Sequence, residues 1–267
     1  ISHTYITIVR NKVRIKEERK FMEVCPSTLL NSDASENVAY NNPDFPAYIK
    51  KRQLSSYPDF RAVSHWHDDL EFMLILEGQM SYDVNGQKIS LQAGEGIFVN
   101  SRCFHYGYSD THTECLFLCI LLSPQLLTAN AYFVQNCLNP LIQNVHFPYQ
   151  KLNPSIQWQN SILHDLAKLY ENNIAQINPF LILENTTHIF RLLSENMNFL
   201  PNYDKNTEEV LALTAMMGYV QKNYSSRILL KHISSAGNCC KTKCTFLFQK
   251  YLNTSPMVYL NQYRLEK

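Results

Sequence analysis

The stretch HWHDDLEFMLILEG, His65 to Gly78, decides how the first half of the chain folds. Two histidines flank a tryptophan, a glutamate follows four residues after the second histidine, and an apolar run comes next. Phe72, Leu74 and Leu76 alternate with Glu71, Met73, Ile75 and Glu77, the period-2 pattern of a strand. On that strand His65 and His67 point to one face and Glu71 keeps their parity, while Trp66 turns to the other side and reads as packing.

Outward from this strand the β pattern extends from about Phe45 to Leu122. QMSYDV, then Asn85-Gly86, then QKISLQ predicts a hairpin, because Asn-Gly supplies the two positive-φ residues of a type I′ turn. AGEG (Ala93 to Gly96) is a further turn before IFVN, and ECLFLCILLS (Glu114 to Ser123) is another strand. Short strands with tight turns predict an antiparallel sandwich or barrel. From Asn153 the period becomes helical, with Ile156, Ile162, Leu163, Leu166, Leu169 and Tyr170 on one stripe. A second helix opens with Asn178 as cap and Pro179 in its first turn. Residues 198–206 read as a linker, and a third helix follows Asn206 to about Tyr224, with Glu209 placed for a capping box. Residues 10–21, RNKVRIKEERKF, read as a short helix or an arm.

The composition, 45% hydrophobic and 18% charged, is that of a packed globular protein. The net charge of +1 is unevenly spread. Residues 1–20 carry six Lys/Arg against two Glu, and residues 225–267 carry seven against one. The body between them is acidic, which points any polyanion to the C-terminal end. The eight cysteines lack a CxxC pair and read as reduced thiols. No apolar run approaches the roughly 20 residues of a membrane helix, so a cytoplasmic protein is expected. The chain opens on Ile1 rather than Met, so the full protein is expected to begin upstream.

His65, His67, Glu71 and His105 offer three imidazoles and a carboxylate, a set suited to a first-row divalent metal. The residues leave three readings open: a bound metal, a polar floor that hydrogen-bonds a small ligand, or a structural set at a barrel mouth. Tyr82, Phe104 and Tyr106 are candidate pocket walls, and no catalytic residue stands out.

The spacing H-x-H-x3-E-x6-G resembles the first motif of the cupin superfamily. Gly94 to His105, GEGIFVNSRCFH, resembles the second, with Asn100 in the place of the motif's proline and Arg102 in the place of its second glycine. At the other end, a short helix from Leu230 to Ala236, a turn at Gly237-Asn238 and a helix from about Cys240 to Tyr251 make a helix-turn-helix arrangement. With Ile233, Phe248, Ser255-Pro256, Tyr259-Leu260 and Arg264-Leu265, this segment resembles the DNA-binding domain of AraC/XylS-family transcription regulators. Cys240 replaces the usual Ser or Asn cap, and Phe246 stands where a polar residue is usual.

The resemblance implies an α+β chain, an antiparallel β cupin (jelly-roll-like) barrel followed by a helical dimerisation segment and an all-α helix-turn-helix domain. It divides the chain into an N-terminal arm (1–44), barrel (45–150), dimerisation helices (151–200), linker (201–206) and DNA-binding unit (207–267). Only the first of the family's two helix-turn-helix units is expected before Lys267. It implies a cytoplasmic homodimer that senses a small effector, sugar-like or another metabolite, and binds double-stranded DNA. Ligand contacts are expected from His65, His67, Glu71, His105, Tyr82 and Tyr106, with a divalent metal as candidate cofactor on the first four. Base contacts are expected from Thr242, Thr245 and Phe246, phosphate contacts from Lys241, Lys243, Lys250 and Arg264, and Gln249 is expected on the same DNA-binding side of the helix. The alternative is a metal-dependent cupin enzyme, an oxygenase or isomerase, with a helical appendage.

Overall fold

A computed structural model describes residues 30–31, 34–173, 178–196, 205–252 and 254–266. The expected arm helix over residues 10–21 and most of the expected linker, 201–204, lie outside the described residues.

Among the described residues seven strands are formed: β1 (Ala47–Gln53), β2 (Leu70–Val84), β3 (Gln87–Gln92), β4 (Gly96–Val99), β5 (His105–Tyr108), β6 (Cys115–Leu122) and β7 (Tyr149–Leu152). The N-terminal half of the long β2 lies between β6 and β4, giving the order β1-β6-β2-β4-β7, and its C-terminal half pairs with β3 and β5. Every pairing between these strands is antiparallel. The expected hairpin is present, with Asn85 at φ 51° and Gly86 at φ 80°. Gly78 marks where β2 passes from one half to the other. Its φ is 77°, and a Cβ there would stand 2.2 Å from the Glu114 carbonyl oxygen, so only glycine fits.

Strand β2 is buried on both faces along most of its length, whereas simple alternation predicts one wet face. The reason is that helices cover the outside while the barrel closes on the inside. Phe72, Leu74 and Leu76 face outward into a core shared with Phe98, Leu118 and Ile120. Met73, Ile75, Met80 and Tyr82 face the barrel interior with Leu91, Ile97 and Phe117. Each such large apolar side chain contributes about 1.5–3 kcal/mol on full burial.

Helices α1 (Gln157–Asn173) and α2 (Pro179–Asn196) lie on the outer face. Ile162, Leu163, Leu166, Ile182, Ile189 and Leu193 complete its core. Asn178 caps α2 as expected, accepting the N–H groups of Phe180 at 3.1 Å and Leu181 at 3.4 Å. Helices α3 (Lys205–Asn223), α4 (Leu230–Ala236), α5 (Lys241–Leu252) and α6 (Pro256–Glu266) form a separate apolar cluster around Met216, Ile233, Leu247, Phe248 and Tyr259. Gly237 in the α4–α5 turn has a packing reason, since a Cβ would lie 2.8 Å from the Ala212 carbonyl oxygen and 2.6 Å from Met216 Cγ. Cys240 caps α5 with sulfur, accepting the Lys243 N–H at 3.4 Å, and the Ser255 hydroxyl accepts the Val258 N–H at 3.3 Å. Glu209 departs from its expected capping role. It is buried and accepts from Lys250 Nζ at 3.0 Å and the Tyr251 hydroxyl at 3.3 Å, tying α3 to α5.

The helical cluster does not close on itself. Phe104, from the turn just before β5, is buried in it and packs against Tyr251 with ring centroids 6.1 Å apart; Trp66 packs against it too. The Lys250 stem lies over the β2–β3 turn, its Cε 3.4 Å from where a Gly86 Cβ would stand.

Candidate functional site

Histidines 65 and 105 sit opposite each other in an antiparallel bridge, with paired backbone hydrogen bonds of 3.2 and 2.9 Å. His67 lies on the same side two residues on, and Glu71 follows at the start of β2, facing inward by strand parity. The result is one cluster: an imidazole nitrogen or carboxylate oxygen from His65, His67, Glu71 and His105, all within 4.8 Å of one another. His67, Glu71 and His105 are buried.

Each histidine ring is fixed by its Nδ1. His65 Nδ1 lies 2.8 Å from the Val63 carbonyl, His67 Nδ1 3.1 Å from that of Asp69, and His105 Nδ1 2.8 Å from that of Cys103. A carbonyl only accepts, so each Nδ1 carries the proton and donates it. Each Nε2 therefore holds a lone pair when the ring is neutral, and each faces a carboxylate. His67 and His105 Nε2 lie 3.1 and 3.0 Å from Glu71 Oε2, and His65 Nε2 lies 3.2 Å from Glu36 Oε2. For His105 the distance is short but the approach is off-line, and its buried Nε2 makes no hydrogen bond. Acceptors converging at this range need a proton or a cation between them. Backbone-anchored Nδ1 groups with Nε2 facing inward match the outer-shell arrangement of imidazole metal ligands. The donor set therefore fits a divalent metal on His65, His67, Glu71 and His105.

The electrostatics agree with that fit. Burial pushes the Glu71 carboxyl up, but the imidazoles of His105 and His67 outweigh burial and hold it well below the usual carboxylate range. Tyr82 donates its hydroxyl to Glu71 Oε1; burial first and the Glu71 charge second push that phenol well above its usual value. Glu36 is likewise held below its ordinary value, the His65 contact overcoming its burial.

Two of the cluster, His65 and Glu71, line a cavity of about 160 Å³ inside the barrel; His67 and His105, expected as ligand contacts, are not among its lining residues. Tyr82 lines it, as does the 36–39 segment of the expected arm. Tyr106 does not. By strand parity it points away from His105, and it lines instead the crevice between the barrel and α5, with the Arg61 guanidinium 5.6 Å from its ring centre. The two substitutions in the second cupin-like motif have local accounts. The buried Asn100 donates to the Leu141 and Phe147 carbonyls at 2.9 and 3.1 Å. Arg102 stands at φ 59°, the left-handed region that favours glycine, and its N–H donates to the His67 carbonyl at 2.8 Å.

Sequence reasoning missed Glu36 and the inward residues of β1, Tyr48, Lys50 and Arg52. The alternation of β1 is visible, but its polar side reads as solvent-facing until barrel closure turns it inside.

Of the residues expected at DNA, Lys241, Thr242, Thr245, Phe246 and Gln249 lie on the exposed side of α5, and Phe246 is 54% exposed. Cys244, Leu247, Phe248 and Tyr251 face the core. Lys243 is half-buried in the first turn. Lys250 is engaged by Glu209, and Arg264 donates to the carbonyls of Tyr224 and Ser226 at 2.8 and 2.7 Å, closing the α3–α4 turn.

The fold and the cluster define an α+β chain: an antiparallel β cupin domain with helices after it. Residues 57–121 match the Cupin domain family. Over 244 residues the chain is 25% identical to the uncharacterized HTH-type transcriptional regulator YdeC of Bacillus subtilis (strain 168), covering 90% of this chain and 82% of that one. Among solved structures, ToxT of Vibrio cholerae matches 80% of this chain and 98% of its own at 9% identity, with a TM-score of 0.38. Salicylate 1,2-dioxygenase of Pseudaminobacter salicylatoxidans matches 28% of this chain at 24% identity and a TM-score of 0.26; the match spans about a fifth of that enzyme, 21%. No helix among the described residues is long and apolar enough to cross a membrane.

Proposed function

We propose that the chain is a ligand-responsive transcription regulator. A small molecule is sensed in the barrel cavity, α5 enters the DNA major groove, and α1 and α2 carry homodimerisation. The observation that carries the reading is the two-sided build of α5. Its apolar side is sealed into the helical cluster, while Lys241, Thr242, Thr245, Phe246 and Gln249 stand on its exposed side after a helix-turn-helix corner. The Bacillus subtilis relative, named as an HTH-type transcriptional regulator, supports the same reading. For α2 the support is Phe180, 84% exposed at its start.

Thr242 and Thr245 serve base edges, Phe246 a thymine methyl group, and Lys241 and Lys243 phosphates. The path from cavity to reader is short. His105 belongs to the cluster, and its neighbour Phe104 is buried against Tyr251 of α5. An effector acts on DNA binding by the difference in its affinity for the two arrangements of this contact, and by no more than that. A divalent cation, when held by His65, His67, Glu71 and His105, supplies a fixed positive charge beside the effector.

Fluorescence anisotropy on labelled DNA from upstream of the protein's own gene tests the reading. Thr242→Ala and Thr245→Ala are expected to weaken specific binding by about 0.5–1.5 kcal/mol each, the worth of one neutral hydrogen bond, and leave binding to random duplex unchanged. Equal loss on both duplexes, or no binding to any, refutes it. The second reading, a metal-dependent cupin enzyme, has the His/Glu cluster in its favour. Turnover that is lost with His67→Ala while DNA binding is absent establishes it instead.

A further inference from the structure

We infer that the barrel cavity takes a compact apolar carboxylate, gripped by Lys50 and Arg52 on the β1 wall. The inference rests on the barrel being an effector site, but not on what the His/Glu cluster holds.

Along β1, Ala47 and Ile49 are buried in the outer core, so Tyr48, Lys50 and Arg52 turn to the barrel interior, where all three line the cavity. The strand register places them relative to the cluster. Tyr48 pairs with Leu121, which pairs with Glu71; Lys50 pairs with Cys119, which pairs with Met73. Lys50 thus lies one inward row from Glu71, about 7 Å along the strand, and two strands across, about 10 Å. A cationic wall and two members of the His/Glu cluster, His65 and Glu71, line the same small space.

The carboxylates that line the cavity are already committed. Glu36 pairs with His65, and Glu71 meets His67, His105 and Tyr82. The Lys50 ammonium lies 5.5 Å from the Tyr48 ring centre and has no carboxylate within ion-pair distance among the described residues. Arg52 donates from Nε and Nη2 to the Tyr48 hydroxyl at 3.0 and 2.6 Å, which holds guanidinium and phenol at the wall. An ammonium on the wall of a cavity whose own carboxylates are engaged calls for an anion from outside.

The remaining lining sets the rest of the molecule. Beyond the cationic wall and the end formed by Glu36, His65, Glu71 and Tyr82, Asn37 and Tyr57 are polar, while Leu54, Met73, Met80, Phe117 and Leu121 offer no hydrogen-bonding side-chain oxygen or nitrogen, so a polyhydroxylated ligand finds few partners over the apolar part of the wall. A dry apolar cavity of about 150 Å³ holds one benzene ring. The 160 Å³ here matches a single ring, or a short branched chain, bearing one carboxylate.

The test is calorimetric titration of the full chain with benzoate, its neutral isostere benzamide, and glucose. Benzoate is expected to bind at least about tenfold tighter than benzamide, the factor that one charge-assisted contact gives, and glucose is expected not to bind. Lys50→Met should lower benzoate affinity about tenfold or more and leave benzamide affinity unchanged, while Lys50→Arg retains benzoate. Equal binding of benzoate and benzamide, preference for glucose, or no binding of benzoate overturns the inference. So does benzoate binding that EDTA abolishes and Lys50→Met leaves intact. A DNA-shift assay on the same preparations separates the two readings. Lys50-dependent benzoate binding without DNA binding keeps this inference and removes the regulator; DNA binding with no carboxylate preference does the reverse.

Discussion

Phe104 is the point at which the barrel enters the helical cluster, and replacing it with alanine isolates that contact. The residue is 4% exposed, packs on Tyr251 of α5, and shares an apolar cluster made chiefly of side chains of α3 to α6. A buried aromatic ring removes about 150–250 Å² from water. At about 25 cal/mol per Å² this gives roughly 4–6 kcal/mol as an upper bound. Measured Phe→Ala losses of about 3–5 kcal/mol include the cavity left behind. Because the partners lie on the helices while the chain at Phe104 belongs to the barrel, the loss of about 3–5 kcal/mol falls on docking rather than on either core. In differential scanning calorimetry the parent protein is expected to melt in one transition. The Phe104→Ala protein should melt in two, the helical unit first, with the barrel's midpoint nearly unmoved. A single transition within about 1 °C of the parent would refute the claim that this ring couples the two parts, since even 1 kcal/mol shifts a domain of this size by about 2–4 °C.

Four further outcomes follow from the geometry. Lys241→Ala with Lys243→Ala should lower the slope of log affinity against log salt by about 0.9 per lost phosphate contact; an unchanged slope removes those contacts. Protein purified without chelators should carry one divalent metal per chain by plasma mass spectrometry. His67→Ala should lose it, and chelation should lower stability by about 2.7 kcal/mol if the parent sits near 100 times its Kd. Glu36 is held below its ordinary 4.5 by His65, so its contribution is present above that pH and fades as pH falls through the lower folded value. Glu36→Gln should therefore lower the urea midpoint at pH 7 and flatten the acid limb; equal midpoints at pH 7 would exclude a stabilising pair. Gly78→Ala should cost more than about 2 kcal/mol in urea unfolding, since positive φ and a Cβ 2.2 Å from a carbonyl oxygen add together.

The parts of the fold set by local chemistry are legible in the sequence. Asn85-Gly86 can hardly make anything but a tight hairpin, and Asn178-Pro179 starts a helix by capping and by ring geometry. Shared parity on one strand placed His65, His67 and Glu71 together, and the spacing of the second motif added His105. What escaped depends on closure in three dimensions. The polar face of β1 is indistinguishable from a wet face until β6 carries it around to the cavity. Tyr106 carried an aromatic signal without a direction, and its odd offset from His105 sends it to the crevice instead. Glu209 has the spacing of a cap, but the arrival of Lys250 from another helix claims its carboxylate. Arg264 has the charge of a phosphate contact, yet two carbonyls at a helix end claim its guanidinium.

Phe104 clamps α5 at Tyr251 in its last turn, while Cys244, Leu247 and Phe248 seat the rest of α5 in the helical unit, so that unit and α5 tilt together about the clamp. Twelve residues at 1.5 Å rise give a lever of about 18 Å. A tilt of about 10° at the clamp swings the far tip by about 3 Å, roughly one hydrogen-bond length. A barrel that shifts its Phe104 turn by a fraction of an ångström can thus move Thr242 in or out of reach of a base without any helix unfolding.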